Sequence, residues 1–295
     1  MNHKVSICIP TYNRKHYLKQ ALQSVFAQTY KDYEVIIVDD GSSDGTEHML
    51  KLERFPVRYH WQQNSGDAAA RNKLIELATG QYISFLDSDD LLMPDALDRM
   101  VKAAEEKGGE VIVYGPYLRI DQDGKLCGRC KRKLYSGYIT KYLFQSIFVH
   151  SGGSMFPRRI LQQEGGFDES LPVCSDYGLW LRLSLKYRFI ALNKPTFKRR
   201  RHSSNISQYS FDNRKAELDM LTDFYYNGGG KEVIPKQAAM KRLSQENYRA
   251  GRYAIKEHLH EQACHLLGES FRQYPNLKSL IYRTRAEIAK RLAPS

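Results

Sequence analysis

Short, continuously apolar runs recur through the first third of the chain, and helix-spaced patterns separate them. Residues 5–9, 34–38, 57–61, 82–86 and 111–114 read as strands; 15–27, 45–52, 68–78 and 94–107 read as the helices between. Strands without polar alternation are buried on both faces, so the pattern predicts an α/β fold, a mostly parallel sheet flanked by helices. Ligands of such sheets sit beyond the carboxyl ends of the strands. The unusual polar residues stand there: Pro10, Thr11, Tyr12, Asn13 and Arg14 after the first strand, Asp39, Asp40, Gly41 and Ser42 after the second, and Asp87, Ser88, Asp89 and Asp90 after the fourth. The three loops are expected to open onto one crevice.

The pattern weakens past residue 117. Asp121-Gln122-Asp123-Gly124 reads as a hairpin turn, residues 176–187 as a helix entered by an Asp cap, and residues 189–192 and 196–201 as strands. From Asp212 the chain reads helical, broken at Gly228-Gly229-Gly230. Amphipathic stretches at 238–253 and 259–274 then predict a helical hairpin.

Composition excludes some classes. At 42% hydrophobic and 26% charged residues the chain is a folded protein, not a disordered one. No apolar run is long enough for a membrane span, and five cysteines are too few for a disulfide scaffold, so a cytoplasmic, reducing location is expected. Cys127 and Cys130 have zinc-ligand spacing without a second pair, which disfavours a structural zinc. The net charge of +12 is uneven: residues 1–150 hold 20 Lys/Arg against 19 Asp/Glu, and residues 151–295 hold 25 against 14. Such a surface is either a solvated basic face or a site for anions.

The polar loops carry the chemistry. Clustered carboxylates at Asp87, Asp89 and Asp90 repel one another and need a cation or hydrogen-bond donors; a hard ion such as Mg²⁺ or Mn²⁺ with phosphate oxygens meets that need. The bland alternative is an acidic helix N-terminus before Pro94. A carboxylate at Asp39 or Asp40 can accept from an imide N–H, the donor edge of uracil, or can simply cap a turn. Tyr12 offers a stacking ring and Arg14 a phosphate partner.

These segments together resemble family 2 of the inverting nucleotide-sugar glycosyltransferases. The resemblance runs through Val5–Arg14 as VSICIPTYNR, through IIVDDGSSDGT at 36–46, Ala70-Arg71-Asn72, and GQYISFLDSDD at 80–90. It continues at GGFDESLP (165–172), DYGLWLR (176–182) and Arg201-His202. It implies a GT-A fold with a donor-binding half at 1–115, an acceptor-binding half at 116–210 and a C-terminal helical extension at 211–295. By position it implies that Asp40 meets the nucleobase near Tyr12 and Arg71, that Asp87 lies by the ribose, and that Asp89 holds a metal bridging the diphosphate. It also makes His202 a second metal ligand and Asp176 the general base. Ser175 departs from the family, where an acidic residue usually precedes the base.

The sequence reading is thus a metal-dependent transferase using a nucleotide-sugar, a UDP-sugar first, and a saccharide or lipid-linked acceptor. A catalytically weak nucleotide-sugar binder and a nucleotidyltransferase are its rivals; the latter would carry a Gly-rich loop where Pro10–Arg14 stands. A nucleic-acid partner would explain the charge, but no recognised module for one appears. Peripheral contact with an anionic membrane is expected from Arg199-Arg200-Arg201 and from Lys278, Arg283, Arg285, Lys290 and Arg291 around Leu280, Ile281, Ile288 and Leu292.

Overall fold

The computed structural model describes residues 4–202 and 210–292. In order the elements are β1 (Val5–Thr11), α1 (Lys15–Phe26), β2 (Tyr33–Asp39), α2 (Thr46–Leu52), β3 (Arg58–Trp61), α3 (Asp67–Leu77), β4 (Tyr82–Phe85) and β5 (Leu91–Leu92). There follow α4 (Ala96–Glu105), β6 (Ile112–Tyr114), β7 (Tyr117–Ile120), β8 (Leu126–Arg129), α5 (Thr140–Gln145), β9 (Ser154–Pro157), α6 (Arg158–Gln163) and α7 (Ser175–Lys186). The remainder are β10 (Phe189–Ala191), β11 (Phe197–Arg200), α8 (Phe211–Tyr226), α9 (Gly230–Val233), α10 (Lys236–Lys256), α11 (His260–Gln273) and α12 (Leu277–Leu292).

The chain forms two compact units. In the first, built on 4–139, 147–170 and 175–202, a seven-stranded sheet has the order β10-β6-β9-β4-β1-β2-β3. β1 pairs in parallel with both β2 and β4, which brings Thr11 level with Asp39 and Cys8 level with Phe85. Every residue of β1 and β4 is buried, the reason these runs lack alternation. Each fully buried Val, Ile or Phe contributes about 1.5–3 kcal/mol, so the sheet's centre dominates the unit's stability. α1 covers it with Leu18, Ala21, Leu22 and Val25, one stripe at i, i+3, i+4 and i+7.

One strand escapes the sequence pattern. β9 lies between β4 and β6 and is antiparallel to both. The sheet is therefore mixed at that point and parallel elsewhere. A second, four-stranded sheet, β5-β11-β7-β8, begins where the Asp87–Asp90 loop ends. β11 pairs with β5 there, returning the chain after residue 196 to the acidic loop.

The second unit joins α5, α8, α9, α10, α11 and α12. Phe144 of α5 packs on Phe224 and Tyr225 of α8. The helices α10, α11 and α12 are tied by three buried hydroxyls, with Ser244 Oγ donating to Ser270 O (2.7 Å) and Ser270 Oγ lying 2.6 Å from Ser279 Oγ. The expected hairpin at 238–253 and 259–274 is present as α10 and α11, and α12 adds a third layer. No helix among the described residues is long and apolar enough to cross a membrane.

Candidate active site at the carboxyl edge of the sheet

The three polar loops meet. Asp40 N–H donates to Thr11 O at 2.9 Å, continuing the β1–β2 ladder past the strand ends. Asn13 N–H donates to Ser42 Oγ and Asn13 Oδ1 accepts from Ser43 N–H, both at 2.8 Å. Gly41 makes this join possible: its φ is +91°, and a Cβ there would stand 3.0 Å from Asn64 N. Tyr12, between these anchors, is half exposed.

The two adjacent aspartates have distinct partners. Asp39 accepts from Ser42 N–H and Tyr59 Oη, each at 2.8 Å, and so fixes the turn. Asp40 turns to the loop after β3, accepting from Gln62 Nε2 (2.8 Å), Ser65 N–H (2.9 Å) and Gly66 N–H (2.8 Å). Sequence reasoning missed Gln62 and the 62–66 loop, because nothing local marks a backbone that will donate to a distant carboxylate.

The carboxylate oxygens of Asp87, Asp89 and Asp90 lie within 4.8 Å of one another. Cations surround them. Asp89 Oδ2 is bonded by Arg14 Nη1 and lies 2.9 Å from His202 Nε2. Arg71 donates from Nη2 to Asp87 Oδ1 at 2.7 Å and from Nε to Asp67 Oδ2 at 2.8 Å. Burial raises the Asp87 pKa, but the Arg71 charge and hydrogen bond, with Arg199 and Arg14 behind them, outweigh it and hold the carboxyl below the usual range. Asp90 is the opposite case. Burial, then Asp89 and Asp87, drive its pKa well up, although the Arg200 N–H donates to it at 2.8 Å.

His202 is positioned by stacking as well as by its contact with Asp89. Its ring lies on Tyr17 of α1 at 5.0 Å, and the Arg200 guanidinium lies 4.8 Å from the Tyr17 ring. Arg200 corrects one expectation. It is buried, not part of a basic surface: its guanidinium donates to Asp89 O, Gln122 O and Gln20 Oε1 at 2.7–2.9 Å. Arg199 is half-buried; burial lowers its pKa, but Asp90, Tyr117 and Asp87 outweigh that and raise it. Of the three arginines only Arg201 is exposed.

Asp176 stands in the first turn of α7, one residue inside the helix start at Ser175, and accepts from Tyr177 N–H at 2.7 Å. It is therefore not the helix cap that the pattern predicted. Burial raises its pKa, Arg71 and the Tyr177 N–H pull it down, and Asp67 and Asp87 push it up again. The same charges thus act on Asp176 and on the acidic cluster. Ser175 is buried, and Ser88 is buried within its loop.

Arg71 sits between these groups under aromatic cover, 5.8 Å from the Phe85 ring and 5.7 Å from the Phe167 ring. Phe167 is held by Asn72, whose Oδ1 accepts from Phe167 N–H (2.8 Å) and whose Nδ2 donates to Phe167 O (2.9 Å). Two buried polar atoms at the site, Arg71 Nη1 and Thr11 Oγ1, have no hydrogen-bond partner. Such groups are costly unless something completes them.

The family model described as Glycosyl transferase family 2 matches residues 6–165. An uncharacterized glycosyltransferase of Rickettsia felis is 33% identical over 197 residues, 66% of this chain and 32% of that protein. A chondroitin synthase of Escherichia coli is 34% identical over 216 residues, 72% of this chain and 31% of that one. The chain thus aligns with only about a third of the length of these relatives. Among solved structures, residues 1–349 of S. aureus TarS in complex with UDP-GlcNAc match with a TM-score of 0.66 and 16% identity, covering 98% of this chain and 92% of that one. A mannosyltransferase from Pyrobaculum calidifontis in complex with GDP-Man and Mn²⁺ matches with a TM-score of 0.57 and 18% identity, covering 99% and 87%. At those identities the likeness is one of fold.

Proposed function

The chain belongs to glycosyl transferase family 2, and we propose that it is a metal-dependent inverting enzyme. It moves a sugar from a nucleoside diphosphate, a UDP-sugar first, to a hydroxyl of a saccharide or lipid-linked saccharide. Residues 1–115 act as the donor half, 116–210 as the acceptor half and 211–295 as the extension. The observation that carries the reading is the convergence of Asp87, Asp89 and Asp90 beside His202 at the sheet's carboxyl edge. The UDP-GlcNAc complex of TarS supports the donor class, and the Mn²⁺ of the archaeal mannosyltransferase supports the ion.

The donor set fits a hard divalent cation. Crowded carboxylate oxygens need positive charge, and an imidazole nitrogen completes a mixed O/N set. Asp89 and His202 would hold Mn²⁺ or Mg²⁺, which when bound neutralises charge on the departing diphosphate. The chain's own residues do the rest. Asp40 accepts the imide N–H of the base beside Tyr12, with Pro10, Thr11, Asn13 and Asp39 shaping the loop. Asp87 takes the ribose hydroxyls while Arg71 keeps it ionised. Arg14, already among anions, is placed to exchange Asp89 for a phosphate. Asp176 takes the proton of the acceptor hydroxyl as its oxygen attacks the anomeric carbon, and the one displacement inverts that centre. Ser175 favours a second reading, nucleotide-sugar binding with weak turnover, because the acidic neighbour of the base is missing.

Thermal-shift measurements with UDP and GDP, with and without Mn²⁺, test the donor site. UDP with Mn²⁺ is expected to raise Tm, since saturation at a hundred times Kd adds about 2.7 kcal/mol to stability. Asp89→Ala should remove the Mn²⁺-dependent part and His202→Ala a smaller part. Unchanged metal-dependent UDP affinity of Asp89→Ala in calorimetry overturns the assignment. Binding without turnover across a broad acceptor panel selects the second reading.

A further inference from the structure

The C-terminal helix α12 is built inside out. Its inner side is made of small residues: Ser279 and Ala286 are fully buried, and Ser279 joins the hydroxyl chain to α11 and α10. Its large aliphatics point outward. Leu277, Leu280, Ile281 and Ile288 are 71, 44, 44 and 53% exposed. With the exposed Thr284 they fall at i, i+3, i+4, i+7 and i+11, a single stripe along the helix. Scattered exposed aliphatics are ordinary, but an aligned stripe marks an interaction surface.

The flanks of the stripe differ in charge. On one side Arg283 pairs with Glu287 at 2.9 Å and Lys290 with Glu261 at 2.7 Å, so these cations are neutralised. On the other side stand Lys278 and Arg285, both exposed, with no carboxylate partner among the described residues. Arg285 lies 5.3 Å from the Tyr282 ring, and Arg252 of α10 lies 5.2 Å from Tyr282 and 5.8 Å from Tyr248. The order from the stripe outward is aliphatic, basic, then tyrosine with arginine. Arg291 and Leu292 lie outside the residues whose side chains are described.

We propose that this face of α12 is a peripheral contact for an anionic lipid bilayer. The aliphatics enter the acyl boundary, Lys278 and Arg285 meet lipid phosphates, and Tyr248 and Tyr282 lie at headgroup depth. Charge complementarity selects this occupant. A second copy docking about a two-fold axis would present the same uncompensated Lys278 and Arg285 to the same patch.

Co-sedimentation of the full chain with vesicles of phosphatidylcholine, alone or with about one-third phosphatidylglycerol, tests the proposal. Binding is expected to the anionic vesicles only and to fade as salt rises. Leu280→Asp with Ile281→Asp, and separately Lys278→Glu with Arg285→Glu, should each weaken it by about tenfold or more. Leu52→Asp, at a 70% exposed leucine on α2, should leave it unchanged. Every altered side chain is exposed, so the variants should keep the parent Tm and its shift with UDP. Equal binding to neutral vesicles, insensitivity to salt, or full binding by the double aspartate variant would overturn the proposal. So would concentration-dependent self-association, without vesicle binding, that the aspartates abolish; a second copy would then be the occupant.

Discussion

Asp176 is a carboxylate whose surroundings disagree about its charge. Burial favours the neutral acid, and the nearby Asp67 and Asp87 add to that; Arg71 and a backbone N–H favour the anion. The balance leaves its pKa above the usual aspartate value, which suits the general base proposed above. A base works only when deprotonated, so transfer should fall as the pH drops through this raised pKa. The acid limb of kcat/KM is expected above the ordinary aspartate range. Asp176→Asn should lower transfer by about two to four orders of magnitude, abolish that limb and leave UDP affinity nearly unchanged. Retention of most of the turnover, or an unshifted limb, would remove Asp176 from this role. What could be read of the site from sequence alone was the polar punctuation of buried strands: Asp39, Asp40, Asp87 and Asp89 stand out because acidic residues rarely follow such runs without a reason. Tyr17, Asn72 and Arg200 had no such mark. Their importance depends on His202, Phe167 and Asp89, each far away along the chain.

Glu34, at the start of β2, shows how an element end is tied down. Its Oε1 accepts from Ser6 Oγ, Thr79 N–H and Thr79 Oγ1 at 2.6–2.7 Å, and its Oε2 takes Arg58 Nη1 at 2.8 Å. Gly80 completes the join: its N–H donates to Ser6 Oγ, and a Cβ there would fall 2.7 Å from Ser6 N. Burial would raise the Glu34 pKa, but these hydrogen bonds prevail and bring it to about 2 from an ordinary 4.5. A folded-state pKa below the unfolded one stabilises the protein above pH 4.5, and that contribution is lost as the pH falls from 4.5 towards 2. Glu34→Gln should therefore cost about 1–3 kcal/mol near pH 7 and progressively less in acid. Denaturant titrations at pH 7 and pH 3 check this, and a difference that fails to shrink at pH 3 would assign the effect to shape instead of charge. At this scale β1, β2 and β4 were plain in the sequence, because burial on both faces demands unbroken apolar runs. β9 was not. Its four residues follow Gly152-Gly153, and their partners were made far earlier, so no local period announces them.

For the molecule as a whole, β9 sets an order of assembly. β4 is the middle strand of the seven, yet its second neighbour is a segment 70 residues later, as the bond from Ser84 Oγ to Ser154 O records. A chain growing from its N-terminus therefore holds a half-finished sheet, with the apolar edge of β4 open, while everything from β5 to α5 is synthesised. Open apolar edges recruit other strands, and long-range pairing is slow to relieve them. Chains ended after residue 150 are expected to aggregate, and chains ended after residue 202 to yield soluble protein with a cooperative melt. Soluble, cooperatively melting chains from the shorter version would show that the sheet does not need its late strand. The polar loops after β1, β2 and β4 are synthesised before the strand that closes the sheet. Arg200 and His202 come later still, so the acidic loop meets its last partners only after the sheet is closed.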